Sequence, residues 1–225
     1  PAPKLEAVPG DGEVTLYWDS SPETVPDPFT NDQDFEGYRI YRSEDNGQTW
    51  GTEVMDGQGN LVGYIPLTQF DLDNGIVGLD PRNPFSYLGD DTGLKHTYVD
   101  NTAKNGIRYA YTIVSYDRGD SVIYSLETAR GTSTADDNFV SVTPTPDFLG
   151  KIPANVQFLN QISGNGKAAI EIAVIDDKIL TNNLYEIQFI GTPANSFNLL
   201  DNTSSDTLLR NAPVNYEDNP VVDGF

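Results

Sequence analysis

The residues best equipped for chemistry in this 225-residue chain are its carboxylates, 34 against 13 lysines and arginines. Two groups have a spacing that suits a hard divalent cation. One is Asp71-x-Asp73-Asn74-Gly75, followed by Asp80 and Asp90-Asp91; the other is Asp32-x-Asp34-x-Glu36-Gly37. Oxygen ligands at alternate positions ahead of a glycine form the front of a calcium loop. Gly75 stands where a fifth-position ligand belongs, and neither loop has a glutamate at its twelfth position. Calcium held by Asp71, Asp73 and Asp80 is therefore set against Asx-turn and solvent-facing roles for the same side chains. His96 is the single histidine, which excludes a histidine-bridged zinc site and leaves a catalytic triad hanging on one residue. Carboxylate pairs for glycoside hydrolysis are defined by a separation in space, and no pair is singled out along the chain. No glycine-rich loop joins a strand to a helix to cradle phosphate. On these grounds the chain is not expected to be an enzyme.

Aromatic side chains at Tyr64, Phe70, Phe85 and Tyr87 have two readings: a platform on which sugars stack, or pins that hold their segment onto the body of the domain. Asn202-Thr203-Ser204 is an N-glycosylation sequon.

The formal charge of −21 repels the phosphate backbone and anionic lipid, so nucleic acid and membrane insertion are not expected. The absence of cysteine removes disulfides, thiolate metal sites and thiol nucleophiles. No apolar run approaches a membrane span of roughly 18 residues. The opening residues carry no basic-then-apolar leader, and the chain reads as a mature or excised segment.

The elements that must position these side chains are strands. Helical periodicity is absent over any stretch of a dozen residues, while alternating β-branched and aromatic runs recur. Leu5 to Val8 and Val14 to Trp18 flank a turn at Pro9-Gly10-Asp11-Gly12. Tyr38 to Ser43 leads into Asp45-Asn46-Gly47, predicting a second hairpin that returns at Thr49-Trp50. Thr97 to Asp100, Arg108 to Asp117, Ser125 to Arg130 and Phe139 to Val142 are further strands. Thr143-Pro144-Thr145-Pro146 reads as a stiff linker. Beyond it, Ala154 to Leu159, Ala168 to Val174, Leu184 to Phe189, Phe197 to Leu200 and Thr207 to Leu209 have the spacing of a second sandwich.

Ordered phrases over about residues 3 to 143 resemble the fibronectin type III family. Pro3-x-Leu5-x-Ala7 with Val14-x-Leu16-x-Trp18 looks like its first two strands, and Gly37-Tyr38-x-Ile40-Tyr41-Arg42 like its third. Asn105-Gly106-x-x-Tyr109-x-Tyr111-x-Ile113 looks like its penultimate strand. The resemblance implies an all-β, immunoglobulin-like sandwich over 1–146, with Trp18 as core tryptophan and Tyr109 as tyrosine-corner residue. A block at about 51–93 is a long insertion relative to that family. Ser43-x-Asp45-Asn46-Gly47-x-Thr49-Trp50 is similar to the Asp-box of sialidases. There Asp45 and Gly47 would stabilise a turn and Trp50 would pack behind it, away from any catalytic centre. A propeller would need several such boxes, and one is present.

Asp34 to Ser43, His96 to Asp100 and Ser115 to Asp120 further resemble modules of very large surface proteins exported by type IX secretion in Bacteroidota. Gly164 to Lys167, Tyr185-Glu186-Ile187 and Val222-Asp223-Gly224-Phe225 resemble the module that follows. In that module a strand continues past Asp-Gly-Phe, so 147–225 is expected to be a second β-sandwich lacking its last strand. Asp120-Ser121-Val122 and Asp206-Thr207-Leu208 are similar to O-glycosylation sites of that phylum, implying glycans on Ser121 and Thr207. The resemblance implies an extracellular, cell-surface structural or adhesive module, a filament subunit assembling by strand addition with copies of itself or neighbouring β-domains. The alternative is a carbohydrate-binding or calcium-stabilised accessory module of an exported enzyme.

Overall fold

The computed structural model describes residues 1–26, 32–119, 122–147, 159–166, 170, 172–176, 179–181, 183–214 and 222–223. The chain divides into two compact units, Pro1–Pro146 and Asp147–Phe225. It is all-β, with every strand pairing antiparallel among the described residues.

The first unit is a β-sandwich. One sheet has the order β1-β2-β9, from β1 (Leu5–Pro9), β2 (Val14–Trp18) and β9 (Thr97–Asp100). The other has the order β11-β10-β3-β6, from β11 (Phe139–Val142), β10 (Tyr109–Asp117), β3 (Phe35–Ser43) and β6 (Thr68–Asp71). Leu5, Leu16, Trp18, Tyr38, Ile40, Phe70, Tyr109, Tyr111 and Ile113 fill the space between them. Each such side chain contributes roughly 1.5–3 kcal/mol by leaving water.

β10 is buried on both faces through Tyr116. Tyr109, Tyr111 and Ile113 face the sandwich core, whereas Ala110 and Val114 join Tyr41, Trp50 and Phe139 in a second cluster with Tyr64 at its edge. Trp50 and Tyr64 flank the ends of two insertion strands, so the insertion roofs the outer face of this sheet and gives it a third layer.

The insertion forms five strands, none foreseen from the sequence, of which four lie outside the main sheet. β6 extends the main sheet. β4 (Glu53–Met55) pairs with β5 (Leu61–Tyr64), and β7 (Gly78–Asp80) with β8 (Asn83–Gly89). They are short and β8 contains Pro84, which masks the alternation that marks longer strands.

Two expectations need correction. Thr49-Trp50 does not return as a strand against β3, because Asp45 and Ser43 satisfy the turn's N–H groups locally and the chain passes on to β4. Ser125 to Arg130 forms a single bridge, Tyr116 to Glu127, and its side chains bond β3 and β10, as Glu127 does with Arg39 and Tyr41.

In the second unit β12 (Tyr185–Gly191), β13 (Ala194–Asp201) and β14 (Asp206–Pro213) form a meander with β13 central. The strand expected at Ala154 to Leu159 lies almost wholly outside the described residues. That at Ala168 to Val174 lies partly outside them, as do Lys167, Gly224 and Phe225.

Candidate functional site

Of the acidic residues that suggested a metal, Asp71, Asp91 and Glu36 meet at the junction between β3, β6 and the end of β8, whereas Asp73 and Asp80 do not join them. Asp71 has no exposed surface. Its Oδ2 accepts the Asp91 N–H at 2.6 Å, and its Oδ1 accepts the Thr92 N–H at 3.0 Å and the Thr92 hydroxyl at 2.5 Å. Gly89 approaches this carboxylate with φ +144, where a Cβ would overlap it. Asp91 in turn accepts the N–H groups of Asn74 and Gly75 at 3.1 and 2.8 Å. Asp73 is exposed at the tip. Asp80 is buried elsewhere, accepting from the N–H groups of Arg82 and Ser125 at 2.9 and 2.7 Å. These bonds hold the Asp80 carboxyl below its ordinary range despite burial. Among the described residues no three His, Asp or Glu side chains are arranged to hold a metal ion. Asp71 and Asp80 clasp backbone instead.

The carboxylate that spacing did not single out by itself is Glu36. It is fully buried, and Asn74 Nδ2 donates to both its oxygens at 3.1 Å. Burial raises its pKa from 4.5 to about 7, offset in part by the Asn74 bond and by Arg118, while Asp71 and Asp91 push it up further. No sequence signal marks this burial, because an acidic residue near the start of a strand ordinarily faces water.

His96 forms a different constellation. Its Nε2 lies 2.6 Å from Glu23 Oε1, which also accepts the Tyr38 hydroxyl at 2.8 Å. The imidazole packs against Trp18 and Tyr38 with ring centroids 6.4 and 6.0 Å apart. This ties the turn at Ser21–Thr24 to the sandwich. Trp18 also stacks on Phe70, and its buried Nε1 has no acceptor among the described residues.

The insertion is held chiefly by a cation. Arg39, almost wholly buried on β3, donates to the Tyr87 carbonyl at 2.5 Å, to Glu127 at 3.0 Å and to Gln69 at 3.3 Å. Its guanidinium lies 3.9 Å from the Tyr116 ring centroid. The Tyr116 hydroxyl donates to the Leu88 carbonyl. Glu127 also takes the Tyr41 hydroxyl and Arg130. A lone arginine in an alternating strand gives no hint of a buried fork.

The Asp-box residues form a closed turn. Ser43 Oγ accepts the Gly47 N–H at 2.8 Å, and Asp45 accepts the Thr49 N–H and hydroxyl at 2.9 and 2.8 Å. These bonds, with that from Ser43, lower the Asp45 pKa to about 2. Gly47 sits at φ 86 beneath Trp50, whose ring meets Phe139 edge-on. Tyr109 accepts the Lys104 N–H through its hydroxyl at 3.1 Å. Thr207 is half-buried at the start of β14, and Asn202 is exposed in the turn before it; Ser121 lies outside the described residues.

The four insertion aromatics divide. Phe70 is core, and Tyr64 packs beneath Arg130 at 5.2 Å. Phe85 and Tyr87 alternate on β8 with buried Ser86 and Leu88, and present 50% and 39% of their surface to solvent. Leu79, directly opposite Tyr87, is 56% exposed. A separate groove of about 350 Å³ lies over Pro22, Val25, Phe35, Tyr116 and Leu126. It gathers no catalytic set.

Comparison with family models, curated proteins and solved structures finds no match.

Proposed function

We propose that this chain is an extracellular structural and adhesive module whose second unit binds another copy by strand addition. One observation carries the reading. β12 and β14, seven and eight residues long, are the outer strands of the three-stranded sheet that the described residues form. An outer strand of such length carries a row of backbone donors and acceptors of the kind an added strand pairs with. Phe189 and Ile190 on β12 remain 43% and 36% exposed, apolar surface that an added layer would cover. The carboxylates of the first unit, bound to backbone N–H groups, fit a load-bearing scaffold. The fibronectin type III resemblance of that unit suits the same role.

Electron microscopy and sedimentation velocity of the full chain test this. Strand geometry makes alternate N–H groups of β12 point away from β13, so a proline at one of Gln188 or Phe189 blocks addition while sparing the internal ladder. Concentration-dependent oligomers or filaments are expected from the parent chain and lost in that variant, with the melting transition of the first unit retained. A parent chain that stays monomeric at all concentrations overturns the proposal.

A further inference from the structure

We propose that the outer face of the β7–β8 hairpin binds a neutral polysaccharide. The site is Phe85 and Tyr87 with Asp90 at its edge, and it stands independently of strand addition, which concerns the other unit. Phe85 and Tyr87 are two residues apart on one strand, so their Cα atoms lie roughly 6.5 Å apart and their side chains leave the same face. Leu79 lies across from Tyr87 and extends the apolar surface. Asp90 accepts the Tyr87 hydroxyl through Oδ1, and among the described residues its other oxygen takes no hydrogen bond. Adjacent aromatic faces with a carboxylate at the rim match a sugar chain, whose C–H faces are apolar and whose edges carry hydroxyl donors.

The platform is braced from beneath. Arg39 and Gln69 both bond the Tyr87 carbonyl, Gln69 and Tyr116 bond that of Leu88, and Asp80 ties β7 to Ser125. The two rings are thus offered on a backbone that needs little ordering on binding.

Charge selects among occupants. Asp90 and Asp91 follow the hairpin and Asp73 precedes it in a chain of net charge −21, so an anionic polymer is repelled. A second copy carries the same excess of negative charge, so two copies brought together at this face meet like-charge repulsion. An uncharged polyol meets neither penalty.

Affinity electrophoresis of the full chain through gels containing β-glucan, xylan, galactomannan or polyuronate tests this. At least one neutral polymer should retard the parent chain, and polyuronate should not. Phe85→Ala and Tyr87→Ala should each weaken retardation about tenfold, a change of 1.4 kcal/mol. Melting temperatures should hold, since both side chains are exposed. Retardation by no neutral polymer, or retardation unchanged in the Phe85→Ala/Tyr87→Ala double variant, overturns the proposal. So does loss of self-association in that double variant without any effect of polysaccharide, which would make the face a contact between copies.

Discussion

Glu36 carries a carboxyl group with no exposed surface, facing Asp71 and Asp91 and reached by one amide, Asn74. Its pKa of about 7 in the fold exceeds the ordinary 4.5, so between those values the folded state holds a proton that the unfolded state has released. Unfolding free energy must therefore fall as pH rises through this window, and the whole penalty stands above about pH 7. The size is about 3 kcal/mol. Urea denaturation at pH 5, 6, 7 and 8 should show this decline, and Glu36→Gln, which keeps an acceptor for Asn74, should flatten it. The carboxyls held low, such as Asp45 at about 2, lose their contribution only in more acid solution and leave the window clear. An equal slope in parent and variant would show that Glu36 does not titrate there.

At the scale of elements, the insertion is a roof fastened through β3. Arg39 joins β3 to the β8 backbone and to Glu127, and removing it leaves, among the described residues, Gln69 on the Tyr87 carbonyl and Arg130 and Tyr41 on Glu127. Breaking a buried ion pair from one side costs about 3 kcal/mol or more. Arg39→Met should lower stability by about that amount and raise amide exchange at Ser86 to Leu88 before the rest of the sandwich opens. Arg39→Lys should not restore it, because an ammonium cannot reach several acceptors in one plane. Exchange rising uniformly across the first unit would mean that the roof and sandwich open together, against this assignment.

The whole molecule carries 21 excess negative charges on 225 residues. Such a surface repels itself in the compact state, and added salt screens the repulsion. The principal opposing loss, the Arg39–Glu127 pair, is shielded by burial and screens weakly. The melting temperature should thus rise between about 0.05 M and about 0.5 M sodium chloride. A flat or falling profile in a thermal scan would place the dominant electrostatics in attractive pairs instead.

The all-β class, the strands β1, β2, β9, β10 and β11, and the strands of the meander were legible in the sequence. Alternation and turn residues are local properties, and long apolar runs such as Tyr109 to Tyr116 announce a buried strand whatever surrounds them. The double burial of that strand was not legible as a third layer, since it depends on where residues 51 to 93 return. The candidate sites divide on the same line. Spacing nominated Asp71, Asp73 and Asp80 together because it reads distance along the chain. Tertiary structure separated them, turned Asp71 and Asp80 onto backbone N–H groups, and buried Glu36 unannounced. The sequence supplied four aromatics with two fates open to each. Only tertiary packing decided among them: β8 bonded to Arg39 leaves Phe85 and Tyr87 facing water, β6 in the main sheet buries Phe70, and β5 lays Tyr64 beside Arg130, because facing is set by what covers a strand and not by the residues within it.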